Sequence, residues 1–127
     1  GGWNLAVAVP VSRIADFLDE APAAVERFAP GARVSAFGHV GDGNMHYDIL
    51  CPPGGDLTAF LGRWQAGSQV VHDIVARYDG SISAEHGLGR LKTDEARRYK
   101  SPLEVSTMQA IRLAIDPKRI MNPAVLF

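Results

Sequence analysis

The chain has 127 residues, 46% of them hydrophobic and 21% charged, which suits one globular domain with a core of its own. Thirteen basic and fourteen acidic residues give a net charge of −1, which argues against a nucleic-acid surface or a polybasic membrane patch. No apolar run approaches the roughly 18 residues of a membrane span. No signal-peptide layout opens the chain. Cys51 is the single cysteine, so an internal disulfide and a cysteine zinc site are both excluded. A lone cysteine fits a reducing compartment, and a cytoplasmic location is the expectation.

Trp3 to Val9 alternates as a strand, with Trp3, Leu5, Val7 and Val9 on one face. Ser12 is placed to cap a following helix, with Asp16 in its first turns. Ile14, Phe17, Leu18, Ala21, Val25 and Phe28 recur at helical spacing. Pro22 interrupts that stripe and predicts a kink or two abutting helices. Val34 to Cys51 then reads as a hairpin around Gly41-Asp42-Gly43-Asn44, whose residues are turn formers. That loop would set Val40 against Met45 and His39 against His46. One hairpin face, Val34, Ala36, Gly38 and Val40 with Met45, Tyr47, Ile49 and Cys51, is apolar and should lie on the core. The other carries Ser35, Phe37 and His39 with His46, Asp48 and Leu50, and is free for a site.

Pro52-Pro53-Gly54-Gly55 closes the hairpin. A long helix follows on the stripe Leu57, Phe60, Leu61, Trp64, Gly67, Val70, Val71, Ile74, Val75 and Tyr78. Asp56 would cap it, Gly80 would end it, Trp64 would be core, and His72, off the stripe, would be exposed. Ser81 to Ser83 is short and extended. Thr93 or Asp94 opens a short charged helix to Lys100, whose Glu95, Arg97, Arg98 and Lys100 read as a solvated face. Ser101-Pro102 reads as N-cap and first residue of a helix that runs to Ile115 and stops at Asp116-Pro117. Ile120-Met121-Asn122-Pro123 is a final turn. The order β-α-β-β-α with C-terminal helices predicts an α+β fold, a two-layer ferredoxin-like sheet with helices on one face.

The chemistry concentrates in two segments. Histidines directly opposed on a hairpin lie close enough to share an ion. Ser83-Ala84-Glu85-His86-Gly87-Leu88-Gly89 sets a carboxylate beside a histidine and two glycines. His39, His46 and Glu85 form a familiar ligand set for a catalytic metal with an open position, leaving His86 as general base. Taken singly, each histidine reads as a turn-flanking surface residue and Glu-His-Gly as a solvated loop. Spacing alone does not bring the two segments together.

Gly38-His39-Val40-Gly41-Asp42-Gly43-Asn44-Met45-His46, Ala84-Glu85-His86-Gly87-Leu88-Gly89 and Asp116-Pro117-Lys118-Arg119-Ile120-Met121-Asn122-Pro123 occur in one order. Together they resemble the C-terminal domain of FAD-linked oxidases, the group of D-2-hydroxyglutarate dehydrogenase, D-lactate dehydrogenase and the glycolate oxidase flavoprotein subunit. The resemblance covers the chain from about Gly38 onward. It implies that residues 1–127 are a single substrate- and metal-binding domain of a larger flavoprotein, whose FAD is held mainly by an N-terminal domain absent from this sequence. It implies a divalent metal, usually zinc, on His39, His46 and Glu85, with His86 as catalytic base. Asn122 would lie near the flavin, and Asp48 and Asn44 are the candidate substrate contacts. Asp48 departs from hydroxyglutarate-type members, which carry Asn there, and so speaks against a dicarboxylate substrate.

The implied reaction takes a D-2-hydroxy acid to a 2-oxo acid with hydride transfer to FAD. The implied partners are that small substrate and the FAD domain, with no nucleic acid and no membrane span, and with room for a homo-oligomer. Alternatives from other classes are a freestanding zinc-dependent hydrolase on the same residues and a non-catalytic docking domain. In each case the isolated chain is expected to have no redox activity.

Overall fold

Strand β1, Gly2–Ala8, buries Trp3, Leu5 and Val7 on the predicted face while Asn4 faces solvent, and Ala6 on the other face is buried too. The computed structural model from which this is read describes residues 1–125. A 3-10 turn at Val11–Arg13 leads into α1, Ile14–Phe28. Ser12 lies inside that turn and makes no cap. Helix α1 runs through Pro22 without dividing. The proline forfeits one backbone bond, but Phe17, Ala21 and Val25 on either side are buried in the core and hold the helix to its course.

β2 is Arg33–His39 and β3 is Asn44–Leu50. The sheet order is β1-β3-β2 with both pairings antiparallel, so β3 is central. Its buried residues Met45, Tyr47 and Ile49 meet α1 and α3 (Trp64–Arg77) through Phe17, Val71 and Val75. β2 is an edge strand. Only Val34 of its expected core face is even partly buried, while Ala36 and Gly38 are exposed. The fold is α+β, as expected. Among the described residues the sheet has three strands, with one isolated bridge, Ala8 to Ser81, on the outer edge of β1.

The long helix is two, α2 at Leu57–Gly62 and α3, with a break at Arg63. The break has a distant cause. The Trp3 indole Nε1 donates to the Phe60 carbonyl at 3.0 Å, and the Arg63 side chain donates to the Phe28 carbonyl at 3.0 Å. Asp56 caps α2 as expected, accepting from Ala59 N at 3.0 Å. Trp64 is 39% exposed rather than core, whereas His72 is buried. α3 touches both β1 and α1, so its buried arc is wider than the stripe suggests. The left-handed residue after α3 is Asp79, φ 54°, rather than Gly80.

Tyr47 is fully buried, edge-on to Phe17 with ring centroids 5.3 Å apart. Its hydroxyl has no hydrogen-bond partner among the described residues, and burial pushes the phenol well above its ordinary pKa. An orphaned polar group costs free energy that its removal recovers. Tyr47→Phe is therefore expected to stabilise the chain by about 1 kcal/mol, read from the urea midpoint at unchanged slope.

The chain divides into two compact units, the first ending at His86 and the second beginning at Gly87. The second contains α4, Thr93–Tyr99, and α5, Pro102–Ile115. In α4, Arg97 and Arg98 are exposed as expected, but Glu95 is buried. Ser101 and Glu104 form a reciprocal capping box at α5. Ser101 Oγ accepts from Glu104 N at 3.2 Å, and Glu104 accepts from Ser101 N at 2.8 Å. The Ser101 backbone and hydroxyl hold the Glu104 carboxyl below its usual range. Pro102 follows at the first helical position, and the helix stops before Asp116-Pro117, both as expected.

Candidate active site

The sheet face turned away from α1 and α3 carries Asn44, His46 and Asp48 on the central strand. Ala8, Ala6 and Asn4 stand beside them on β1, and His39, Phe37 and Ser35 on β2. The expected faces are right and the expected partners are not. His39 pairs with Asn44, and His46 pairs with Phe37. β2 ends one residue early, the 3-10 turn Val40–Asp42 follows, and Gly43 completes the loop in the left-handed region at φ 71°. A Cβ on Gly43 would stand 2.0 Å from the Val9 carbonyl, and Val9 N donates to the Gly43 carbonyl at 3.0 Å. The loop is fastened to the end of β1, which sets where it turns. Moving both ends by one residue changes each partner by two, so the faces survive. His39 and His46 are consequently diagonal neighbours. Their Cβ atoms stand roughly 7 Å apart, a span that two imidazoles can close by leaning toward a common point.

The segment after α3 supplies the second half of the site. Ala8 and Ser81 exchange both backbone bonds at 2.8 Å, and Ala84 N donates to the Ala6 carbonyl at 3.1 Å. This lays residues 81–84 along the free edge of β1 and delivers Glu85 over Ala6. Ala6 is register-paired with His46, and its small side chain leaves the path open. Glu85 Oε1 lies 3.0 Å from His46 Nε2 and 3.9 Å from His86 Nε2. The two imidazole centroids are 5.9 Å apart. Residues 39 positions apart in the chain thus meet at one point, and the general-base candidate stands beside them.

Around that point the face is mixed. Asn44 Oδ1 is buried without a hydrogen-bond partner among the described residues. A buried acceptor left unpaired calls for a donor, an ordered water or a ligand group. Asp48, half-buried, sits two residues beyond His46 between Asn4 and Ser35. Phe37 stacks on His46 at 5.1 Å and 25°, yet is 55% exposed. Sequence reasoning gave Phe37 no role. Its signal was its place two residues before His39 on the site face, and it would have emerged with the correct register.

Asn122 lies in the second unit, in the left-handed region at φ 44°. Arg112 of α5 donates to the Met121 and Asn122 carbonyls at 3.0 and 3.1 Å, and also to that of Val125. Asp116 accepts from Ile120 N and Met121 N at 3.1 and 2.9 Å. These bonds fix the terminal turn beside α5, around an apolar groove of about 380 Å³ lined by Met108, Ile111, Ile115 and Met121.

As a metal site the first unit fits in part. Two donors on one tetrahedral ion with bonds near 2.0–2.1 Å stand about 3.3 Å apart, close to the His46–Glu85 separation of 3.0 Å. His39 is on the same face, but among the described residues no three His, Cys, Asp or Glu side chains converge as a metal-holding group. No helix among the described residues is long and apolar enough to cross a membrane.

A family model described as FAD linked oxidases, C-terminal domain, matches residues 2–126. The D-2-hydroxyglutarate dehydrogenase of Stutzerimonas stutzeri (strain A1501) is 40% identical over 121 residues, 95% of this chain and 26% of that protein. The mitochondrial D-2-hydroxyglutarate dehydrogenase of Arabidopsis thaliana is 36% identical over 92% of this chain and 20% of its own length. The mitochondrial D-lactate dehydrogenase [cytochrome] of Kluyveromyces lactis is 34% identical over 98% of this chain, again 20% of its own length. The chain thus spans between a fifth and about a quarter of these relatives.

Proposed function

The chain belongs to the family of FAD-linked oxidase C-terminal domains, and from that we propose that it is the substrate- and metal-binding part of an FAD-dependent 2-hydroxyacid dehydrogenase. The observation that carries the reading is the meeting of Glu85 with His46 at 3.0 Å, with His86 alongside.

In this reading His46, Glu85 and His39 would hold a divalent ion, zinc by ligand type. When bound, such an ion would polarise the α-hydroxyl, and FAD, held mainly outside this chain, would take up the hydride. Asn44 Oδ1 offers its unused acceptor to the substrate hydroxyl or to a water that orients it. His86 Nε2 takes the hydroxyl proton as the Cα–H bond breaks and its electron pair leaves with the hydrogen. The carbonyl of a 2-oxo acid forms as the hydrogen departs with that electron pair, and the proton rests on His86. Asn122 is assigned to the flavin, on the family resemblance of the terminal motif alone.

Calorimetric titration of the full-length flavoprotein, stripped of metal, tests the site without reference to turnover. One zinc per chain is expected, with binding abolished in His46→Ala and weakened at least tenfold in His39→Ala. Undiminished binding in His46→Ala, or none in the parent protein, would remove the metal from the mechanism.

A further inference from the structure

The two edges of the sheet are finished differently. Residues 81–84 close the outer edge of β1 through the Ala8–Ser81 bonds and the Ala84–Ala6 bond. The outer edge of β2 carries no backbone hydrogen bond among the described residues. We propose that a strand from the part of the flavoprotein preceding Gly1, backed by a helix of its own, adds to β2 and extends the sheet past His39 and Phe37. The inference rests on family membership and not on the metal or the reaction.

The backbone of β2 is suited to such an addition. An edge strand turns the N–H and C=O of alternate residues away from its only neighbour, and proteins guard edges left in water with bulges, prolines and charges. β2 has none of these along its length. Its register with β3 is unbroken over seven pairs, from Arg33 with Leu50 to His39 with Asn44, so no bulge bends it away. It holds no proline, and its one fixed charge, Arg33, is at its start. β2 also lacks cover on both faces. Ala36 and Gly38 are exposed on the helix side, and Ser35, Phe37 and His39 on the site side. The core under α1 and α3 closes over Tyr47 and Ile49 of β3 and reaches no farther than half-buried Val34. The occupant follows from what remains to be covered. The chain spans 26% and 20% of two relatives, and the family it matches is a C-terminal domain, so most of such a protein precedes it. A second copy pairing β2 with β2 would set two helix-free strands side by side. Ala36 and Gly38 of each would face a gap between the helix layers with nothing large enough to fill it. A strand with its own helix closes the edge and the gap together. Its alternate side chains would stand beside Ser35, Phe37 and His39, about 4.8 Å away across the sheet, and complete the wall of the site on that side.

Hydrogen exchange in the full-length flavoprotein, resolved to single amides, tests the edge. All seven residues of β2, 33–39, have an amide to follow. Bonds to β3 alone would protect alternate amides and leave the rest to exchange as in an open edge. With a strand added, both sets are expected to be protected, the outward set slowed at least about a hundredfold. Free exchange at alternate residues would overturn the inference. Cross-linking identifies the occupant. Ser35→Cys carrying a short photo-activated linker is expected to join β2 to a peptide that precedes Gly1 in the same polypeptide. A product of two joined chains would give the edge to a second copy and overturn the inference as well. Either failure leaves the dehydrogenase reading standing, because that reading is decided by metal binding and flavin reduction.

Discussion

In the full-length flavoprotein, His86→Gln is expected to slow reduction of the flavin by a D-2-hydroxy acid about 10²–10⁴-fold, the usual contribution of a positioned general base. The side chain is suited to that work by its surroundings. It is 70% exposed, so substrate can reach it, and its Nε2 stands 3.9 Å from the Glu85 carboxylate that also touches His46. Glutamine keeps the volume and hydrogen bonding but cannot hold the proton. Anaerobic stopped-flow at saturating substrate separates this effect from binding, because a base removed from the chemical step lowers the reduction rate rather than only the affinity. Metal content and FAD occupancy should match the parent, since the ligand set assigned to the metal does not include His86. A loss below tenfold would assign the proton to another acceptor and favour a docking role for the domain.

The reason for meeting His86 and Glu85 as a pair, and not as a loop, lies outside what a linear sequence displays. Ser81 and Ala84 dock on β1 through backbone bonds alone, which any residue types could make. The hairpin was legible to the level that its physics permits. A period of two sorts faces, and His39, His46 and Asp48 were placed on the correct one. Partners within the face depend on where the loop turns. That was decided by Gly43 and the Val9 carbonyl, residues 34 positions apart. His72 was misread because its burial comes from α3 touching two elements at once, whereas a single stripe describes contact with one. The caps at Asp56 and Ser101 were read correctly because they are local, each settled within three residues.

Trp3→Ala is expected to destabilise the chain by about 3–5 kcal/mol, the cost of a large cavity plus lost transfer energy. Trp3 is 3% exposed, lies flat on Phe60 with centroids 4.0 Å apart and 3° between planes, and meets Phe28 edge-on at 6.1 Å. Its indole also holds the Phe60 carbonyl where α2 gives way to α3. Gly67 of α3 is the counterpart of this ring. A Cβ there would stand 2.3 Å from it, so the helix approaches β1 only because the side chain is missing. The pair makes a sharper test than either residue alone. In the parent chain Gly67→Ala should cost about 1–3 kcal/mol through overpacking. With Trp3→Ala already present, the same substitution meets an empty space, and alanine's better helix propensity should recover up to about 1 kcal/mol. The sign of Gly67→Ala should therefore reverse between the two backgrounds, as read from chemical denaturation of the four proteins in one cycle. Additive costs would mean that Gly67 serves the α2–α3 junction in some way other than making room for the ring.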